Sequence, residues 1–168
     1  QEANDLLTRA AGHSDMGQED ALNLAKKGFE QGRFEMAQKI LEPLGAKGAL
    51  SDKELLLLAR CWYFDNDLER AEKLLNDLSE RGFSDKLLFF TLGNIADKRE
   101  DVNTAVKWWE KTLLVDAEHY EAMFNIGVAC YKQNDRNKAV ECWKKVLMMN
   151  PDSETRKIAE DAIAQVQQ

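Results

Sequence analysis

Few side chains in this sequence belong to the types that usually catalyse reactions or hold metal ions. The chain has three cysteines, Cys61, Cys130 and Cys142, and two histidines, His13 and His119. Zinc sites need converging Cys, His or carboxylate ligands, and neither histidine has such a partner at ligand spacing. Phosphate-binding glycine loops and nucleophile motifs are also missing from the sequence. We therefore predict that the protein is not an enzyme and holds no metal or cofactor.

The elements that could position a binding surface recur with a fixed period. Four alanines are spaced 34 residues apart, with no insertion or deletion between them. Two further sets of positions are also spaced 34 residues apart, and each set keeps side chains of similar size. We call each set a column. The alanines and these columns are Ala37, Ala71, Ala105, Ala139; Ala25, Ala59, Gly93, Gly127; and Leu41, Leu75, Trp109, Trp143. Two helix-length segments in each period indicate stacked helical repeats.

This pattern resembles the tetratricopeptide repeat family. Four full repeats fit the register, over residues 18–51, 52–85, 86–119 and 120–153. The resemblance implies an all-α fold, a right-handed α-solenoid of antiparallel helical hairpins that spans residues 1–168 as a single domain. One departure from the family is that only the last of these repeats is followed by the usual proline, Pro151.

Polar turns separate the two predicted helices of each repeat. Gly32, Asn66 and Asn134 suit the left-handed residue that ends a helix. The turn of the third repeat ends in Asp101, a residue type that caps a helix N-terminus. Each repeat is therefore predicted to be a helical hairpin, and hairpins must stack to bury their apolar stripes.

Residue size predicts how the helices pack. The Ala or Gly column should let the two helices of a hairpin approach closely, while Trp109 and Trp143 should fill the wider space between repeats. Pro43 lies inside the second helix of the first repeat, where it removes a backbone donor. We expect that helix to end or kink near Leu41–Leu44.

The two ends of the sequence are predicted to be half-repeats or caps. Subtracting one period from Ala37, Leu41 and Leu44 gives Ala3, Leu7 and Ala10, which fit their columns. Residues 1–17 are thus either the second helix of a truncated repeat or an N-terminal cap. Residues 154–168 are amphipathic and are predicted to form a C-terminal capping helix.

Composition restricts the partners and the compartment. A net charge of −7 argues against general nucleic-acid binding. No apolar run is long enough for a transmembrane span. Cys61 and Cys130 are two repeats apart, too far for a disulfide, which favours a reducing, cytoplasmic compartment. A signal or membrane anchor could still precede Gln1.

The resemblance also implies a binding surface, because the first helix of each hairpin lines the concave groove in that family. This surface is unusually apolar in the present sequence, and contiguous apolar surface usually marks a binding site. The predicted peptide-binding positions are Leu22, Lys26, Phe29, Leu56, Arg60, Tyr63, Phe64, Phe90, Asn94, Phe124, Val128 and Tyr131.

Two functions are compatible with this pattern. The first is a monomeric, non-enzymatic adaptor that binds an apolar or amphipathic segment of a protein or peptide partner in the groove. Lys26 and Arg60 would then contact acidic or backbone groups of that segment. The alternative is a structural scaffold, in which the repeats stack on those of another chain or of a missing N-terminal part of the array.

Overall fold

A computed structural model describes residues 17–166 of the chain, and this range contains α-helices and no β-strand. The all-α prediction is therefore confirmed. The predicted helix over residues 1–17 lies almost entirely outside the described range and stays a prediction. None of the helices in residues 17–166 is long and apolar enough to cross a bilayer.

The chain divides into two compact units, and the first unit is Gln1–Phe83. Within it, each helix packs against the next helix along the chain. Among the residues of this unit that the structure describes, 17–83, the helices are α1 (Gln18–Glu30), α2 (Phe34–Ala46), α3 (Asp52–Phe64) and α4 (Leu68–Glu80). They form two helical hairpins, as the register predicts for residues 18–85.

The second unit is Ser84–Gln168, and it contains two more hairpins and the final helix. Consecutive helices again pack against each other. The five helices are α5 (Lys86–Lys98), α6 (Val102–Val115), α7 (Tyr120–Lys132), α8 (Arg136–Met148) and α9 (Ser153–Val166).

The turns inside the hairpins have the predicted backbone conformation. Gly32, Asn66 and Asn134 all have positive φ values, of 72°, 63° and 64°. Glu100 adopts the same conformation, with φ of 63°, although its side chain makes this conformation costly. The capping prediction also holds, because the side chain of Asp101 accepts a hydrogen bond from the backbone N–H of Thr104.

Near Leu41–Leu44, where the sequence predicts that the second helix ends or kinks, α2 continues through Pro43 and ends at Ala46, two residues beyond Leu44. Pro43 occupies the last turn and is exposed. Pro43 has no backbone N–H, so one helical hydrogen bond is missing. The loss is tolerated near the helix end, where carbonyl groups can accept hydrogen bonds from water instead. Just beyond Pro43, a Cβ built on Gly45 would make only ordinary contacts, at 3.4 Å to Leu50 and 3.6 Å to Leu58.

Glycine and tryptophan form the closest helix contacts in the second unit. A Cβ built on Gly93 would lie 2.5 Å from the indole of Trp109, and one on Gly127 would lie 2.4 Å from the indole of Trp143. Each indole therefore sits directly on the glycine of its own hairpin. The close shape match is thus within each hairpin, and the expectation that the indoles also fill the space between repeats stays a prediction.

The start of α9 is fixed by one carboxylate. Asp152 accepts hydrogen bonds from the backbone N–H groups of Glu154 and Thr155, at 2.9 and 2.8 Å, and from the Thr155 hydroxyl at 2.7 Å. The Tyr120 hydroxyl at the start of α7 also donates to it, at 3.1 Å. These bonds, first of all those from Thr155, lower the pKa of Asp152 from its ordinary 3.8 to about 2.

We expect the Asp152 cap to lose its contribution to stability in acid. A lowered pKa means that the folded state favours the charged form, so the stabilisation is present above the unfolded pKa and disappears as pH falls towards 2. Asp152→Ala should lower the melting temperature at neutral pH, and the difference from the wild type should shrink steadily below about pH 4. Thermal unfolding followed by circular dichroism across this range measures it, and a pH-independent difference would contradict it.

Candidate functional site

An aromatic cluster of four rings lies in the first unit, at the helix ends that adjoin the turns inside the two hairpins. It consists of Phe29 on α1, Phe34 on α2, and Tyr63 and Phe64 on α3. The Phe34 and Phe64 rings stack at 4.3 Å, and Phe29 meets them edge-on at 5.2 and 5.7 Å. Phe64 is still 46% exposed. The predicted positions Phe29, Tyr63 and Phe64 are thus brought together on one surface.

Two cations lie beside the aromatic cluster, one helical turn earlier on the same helices. The guanidinium carbon of Arg60 lies 4.7 Å from the centre of the Phe29 ring. The ammonium of Lys26 lies 3.8 Å from Glu54 Oε1, and the Lys26 side chain is half exposed. Of the remaining predicted positions in this unit, Leu22 is half-buried, whereas Leu56 is buried and presents little surface for contact.

In the second unit, the predicted aromatic positions are partly covered by their own core. Phe90 packs against the His119 ring at 4.7 Å, and Phe124 lies 6.1 Å from Trp143. Both are half-buried, as is Val128. Tyr131 is 43% exposed, with its ring 6.2 Å from Trp143. These side chains keep part of their apolar surface open to solvent.

The Asn94 side chain forms hydrogen bonds to two neighbouring helices, which the sequence did not indicate. Its side-chain oxygen accepts hydrogen bonds from Trp109 Nε1 at 3.0 Å and from Asn125 Nδ2 at 3.3 Å. The residue therefore links three helices, α5, α6 and α7, and holds the Trp109 indole in place. Its oxygen is already bonded twice, so a ligand would have to use the amide nitrogen.

Two further side chains extend these surfaces. Phe34 belongs to a second helix, so a search restricted to first helices misses it, yet it stacks on Phe64. Ile158 on α9 is 47% exposed and stands one period after Phe124, which itself stands one period after Phe90. The register points to Ile158, but the amphipathic pattern of residues 154–168 predicts only a capping helix there.

The cysteines and His119 are parts of the core. Burial raises the pKa of the Cys61 thiol to about 12, and burial also raises the pKa values of Cys130 and Cys142. All three are free thiols and remain protonated near neutral pH, so they lack the thiolate that acts as a nucleophile. His119 is buried and caps α7, because its Nδ1 accepts a hydrogen bond from the backbone N–H of Ala122 at 3.3 Å.

One family model and several solved structures are similar to this chain. The family model of the tetratricopeptide repeat matches residues 120–153. No curated protein sequence matches the chain.

Several solved structures share the fold. TTC0263, a thermophilic tetratricopeptide-repeat protein of Thermus thermophilus, has a TM-score of 0.72 and 16% identity, over 96% of this chain and 89% of that one. YrrB, a tetratricopeptide-repeat protein with an unusual peptide-binding site, has a TM-score of 0.71 and 17% identity, over 95% and 86%. The Yersinia enterocolitica type III secretion chaperone SycD, in complex with a peptide of the translocator YopD, has a TM-score of 0.65 and 15% identity, over 70% and 95%.

These similarities agree with the 34-residue register and with the helical hairpins of both units. Residues 120–153 are a tetratricopeptide repeat, and the described chain has the fold of tetratricopeptide-repeat proteins.

Proposed function

We propose that the chain is a non-enzymatic interaction module that binds an apolar or amphipathic segment of a partner protein on its first-helix surfaces. One observation carries the proposal: large apolar side chains at equivalent first-helix positions retain exposed surface. In the second unit these are Phe90, Phe124 and, in the same register on α9, Ile158, while Tyr131 is exposed at another position of a first helix. Where such side chains form a contiguous exposed patch, the patch usually marks a binding site.

The chemistry of these side chains fits peptide binding. An aromatic ring offers roughly 150–250 Å² of apolar area and loses little conformational entropy when it is covered. A few such residues are expected to supply most of the affinity. Two of the proteins with similar structures support this choice, since YrrB has a peptide-binding site and SycD is solved with a bound peptide. The free, buried cysteines are compatible with a reducing compartment such as the cytoplasm.

One observation favours the alternative of a self-assembling scaffold. Leu114 and Met148 lie one period apart, in the last turns of α6 and α8, and are 86% and 80% exposed. Exposed aliphatic side chains at repeated positions would suit contact with a second copy. Light scattering over a range of concentrations separates the two, because an adaptor keeps a constant mass whereas a scaffold gains mass, and Met148→Asp would prevent that gain.

Ile158→Asp tests the peptide-binding proposal. Short random peptides displayed on phage are selected against the wild-type chain, and the affinity of a selected peptide is measured by fluorescence anisotropy. The charged side chain should weaken binding by more than about tenfold, because it places an unpaired carboxylate in an apolar contact. The circular dichroism spectrum should not change, since the Ile158 side chain is already half exposed.

Met148→Asp is the matched control, as it adds the same charge to an exposed apolar residue of a second helix. It should leave peptide affinity unchanged. If Ile158→Asp and Phe124→Ala both bind the selected peptides normally, the first-helix surface of this unit is not the site.

A further inference from the structure

The aromatic cluster of the first unit has a chemical neighbourhood that identifies the type of segment it would bind. The stacked pair of Phe34 and Phe64 leaves an exposed ring, which can cover one apolar side chain of a partner. In the second unit the positions equivalent to Phe29, Phe34 and Phe64 are occupied by Asp97 or Tyr131, Val102 or Arg136, and Lys98 or Lys132. The cluster is therefore a local feature of the first unit and not a consequence of the repeat.

Lys26 is available for a carboxylate from outside the chain. Its ion-pair partner, Glu54, is already engaged, because its Oε2 accepts hydrogen bonds from the Ser51 backbone N–H at 2.8 Å and from the Ser51 hydroxyl at 2.7 Å. Only Oε1 of Glu54 faces Lys26, at 3.8 Å, which is a long and weak ion pair. Half of the Lys26 side chain is exposed, so a second carboxylate can reach its ammonium.

Charge is arranged in one direction along the two helices. Lys26 and Arg60 come three residues before Phe29 and Tyr63, which places the cations about 5 Å nearer the helix N-termini than the rings. Glu30 and Asp65 follow Phe29 and Phe64 directly, and they lie towards the C-terminal ends of the two helices. On one side of the aromatic cluster a bound carboxylate therefore meets two cations and Glu54. On the other side it meets Glu30, Asp65 and the cation Arg33. The balance of charge attracts it on the first side and repels it on the second.

We propose that the first unit binds an extended peptide segment that places an apolar side chain on the aromatic cluster and an acidic side chain against Lys26 and Arg60. This proposal rests on the proposed function and names the chemistry of one of its ligands. In an extended chain, residues i and i+2 lie on the same side and are about 6–7 Å apart. The rings and the cations are about 5 Å apart along the helices, so i+2 is the nearest position on the same side that can reach the cations while residue i covers the rings. The expected motif is therefore an apolar residue followed or preceded at the second position by Asp or Glu.

The test uses the peptides selected by phage display on the full chain, together with synthetic versions in which the acidic residue is replaced by lysine or moved by one position. Peptides with the motif should bind about fivefold better than either altered version. Phe64→Ala should weaken all of them by about tenfold, because it removes the exposed ring. Lys26→Gln should weaken only the peptides that keep the acidic residue in place.

Lys27→Gln is the matched control, since Lys27 is the neighbouring exposed lysine on α1 and points away by about 100°. It should leave every affinity unchanged. Selected peptides that bind without regard to the acidic residue, or that respond to Ile158→Asp but not to Phe64→Ala, overturn this inference and leave the proposed function standing. A chain that selects no peptide overturns both.

Discussion

Trp143→Ala is expected to lower the free energy of unfolding by about 3–5 kcal/mol, which is typical when a large aromatic side chain is removed from a core. Trp143 is 3% exposed and belongs to the core cluster of the second unit. Its indole rests on Gly127, which has no side chain that could move into the space. The Phe124 carbonyl oxygen, which accepts a hydrogen bond from Trp143 Nε1 at 3.3 Å, also loses that donor.

Urea unfolding followed by the helical circular dichroism signal measures this loss directly. Met148→Ala serves as the control, because this residue lies on the same helix but is exposed and should change stability little. A loss below about 1 kcal/mol for Trp143→Ala would mean that the large-residue column does not fill the core.

Most of the fold could be predicted from the sequence because each hairpin repeats the same local rules. A turn that needs a left-handed residue has Gly32, Asn66 or Asn134 in the same register, and the positive φ angles follow. Capping is equally local, since the carboxylate of Asp101 needs only a backbone N–H three residues later. Period, turn and cap agree with one another, and such agreement across levels is what specifies a structure.

The features that could not be predicted depend on contacts between different helices or on the exact helix end. The hydrogen bonds of Asn94 to Trp109 and Asn125 involve neighbouring helices, so a residue that resembles a binding position is used inside the fold. Phe34 joins the aromatic cluster only because the α1–α2 turn brings it onto Phe64. Pro43 fits because it falls in the last turn of α2, which the sequence pattern locates only to within a few residues.

The candidate surface was less predictable than the fold for the same reason. First-helix register predicts positions but not exposure, so it points to Leu56 although the side chain of Leu56 is buried. Ile158 lies beyond the four predicted hairpins, although it is in the column of Phe90 and Phe124 and is half exposed. Exposure depends on which neighbouring helix covers a position, and a single sequence does not state this.

Gly93→Ala is expected to be among the most destabilising single-methyl additions in the chain, costing about 2–3 kcal/mol. The added carbon would lie 2.5 Å from Cδ1 and Nε1 of Trp109, well inside van der Waals contact. The indole has no easy route away, because it is 2% exposed and bonded to Asn94. Gly28→Ala is the control, since its Cβ would come no closer than an ordinary 3.5 Å to Met36 Sδ.

The first unit shows how the clash could be relieved. Its two hairpins have Ala25 with Leu41 and Ala59 with Leu75 at the equivalent positions, whereas Gly93 is combined with Trp109. All four residues of the first unit are completely buried, which indicates that alanine with leucine is a second well-packed solution. A larger side chain on one helix is thus matched by a smaller one on its partner.

The double variant Gly93→Ala with Trp109→Leu should therefore lose less stability than the sum of its two single variants. Trp109→Leu alone leaves a cavity over the glycine, and the methyl group added at position 93 would occupy part of that cavity. We expect a coupling energy of about 1–3 kcal/mol in the double-mutant cycle, measured by urea unfolding of the wild type and the three variants. Additive losses would contradict the prediction, because they would mean that the glycine and the indole do not constrain each other's size.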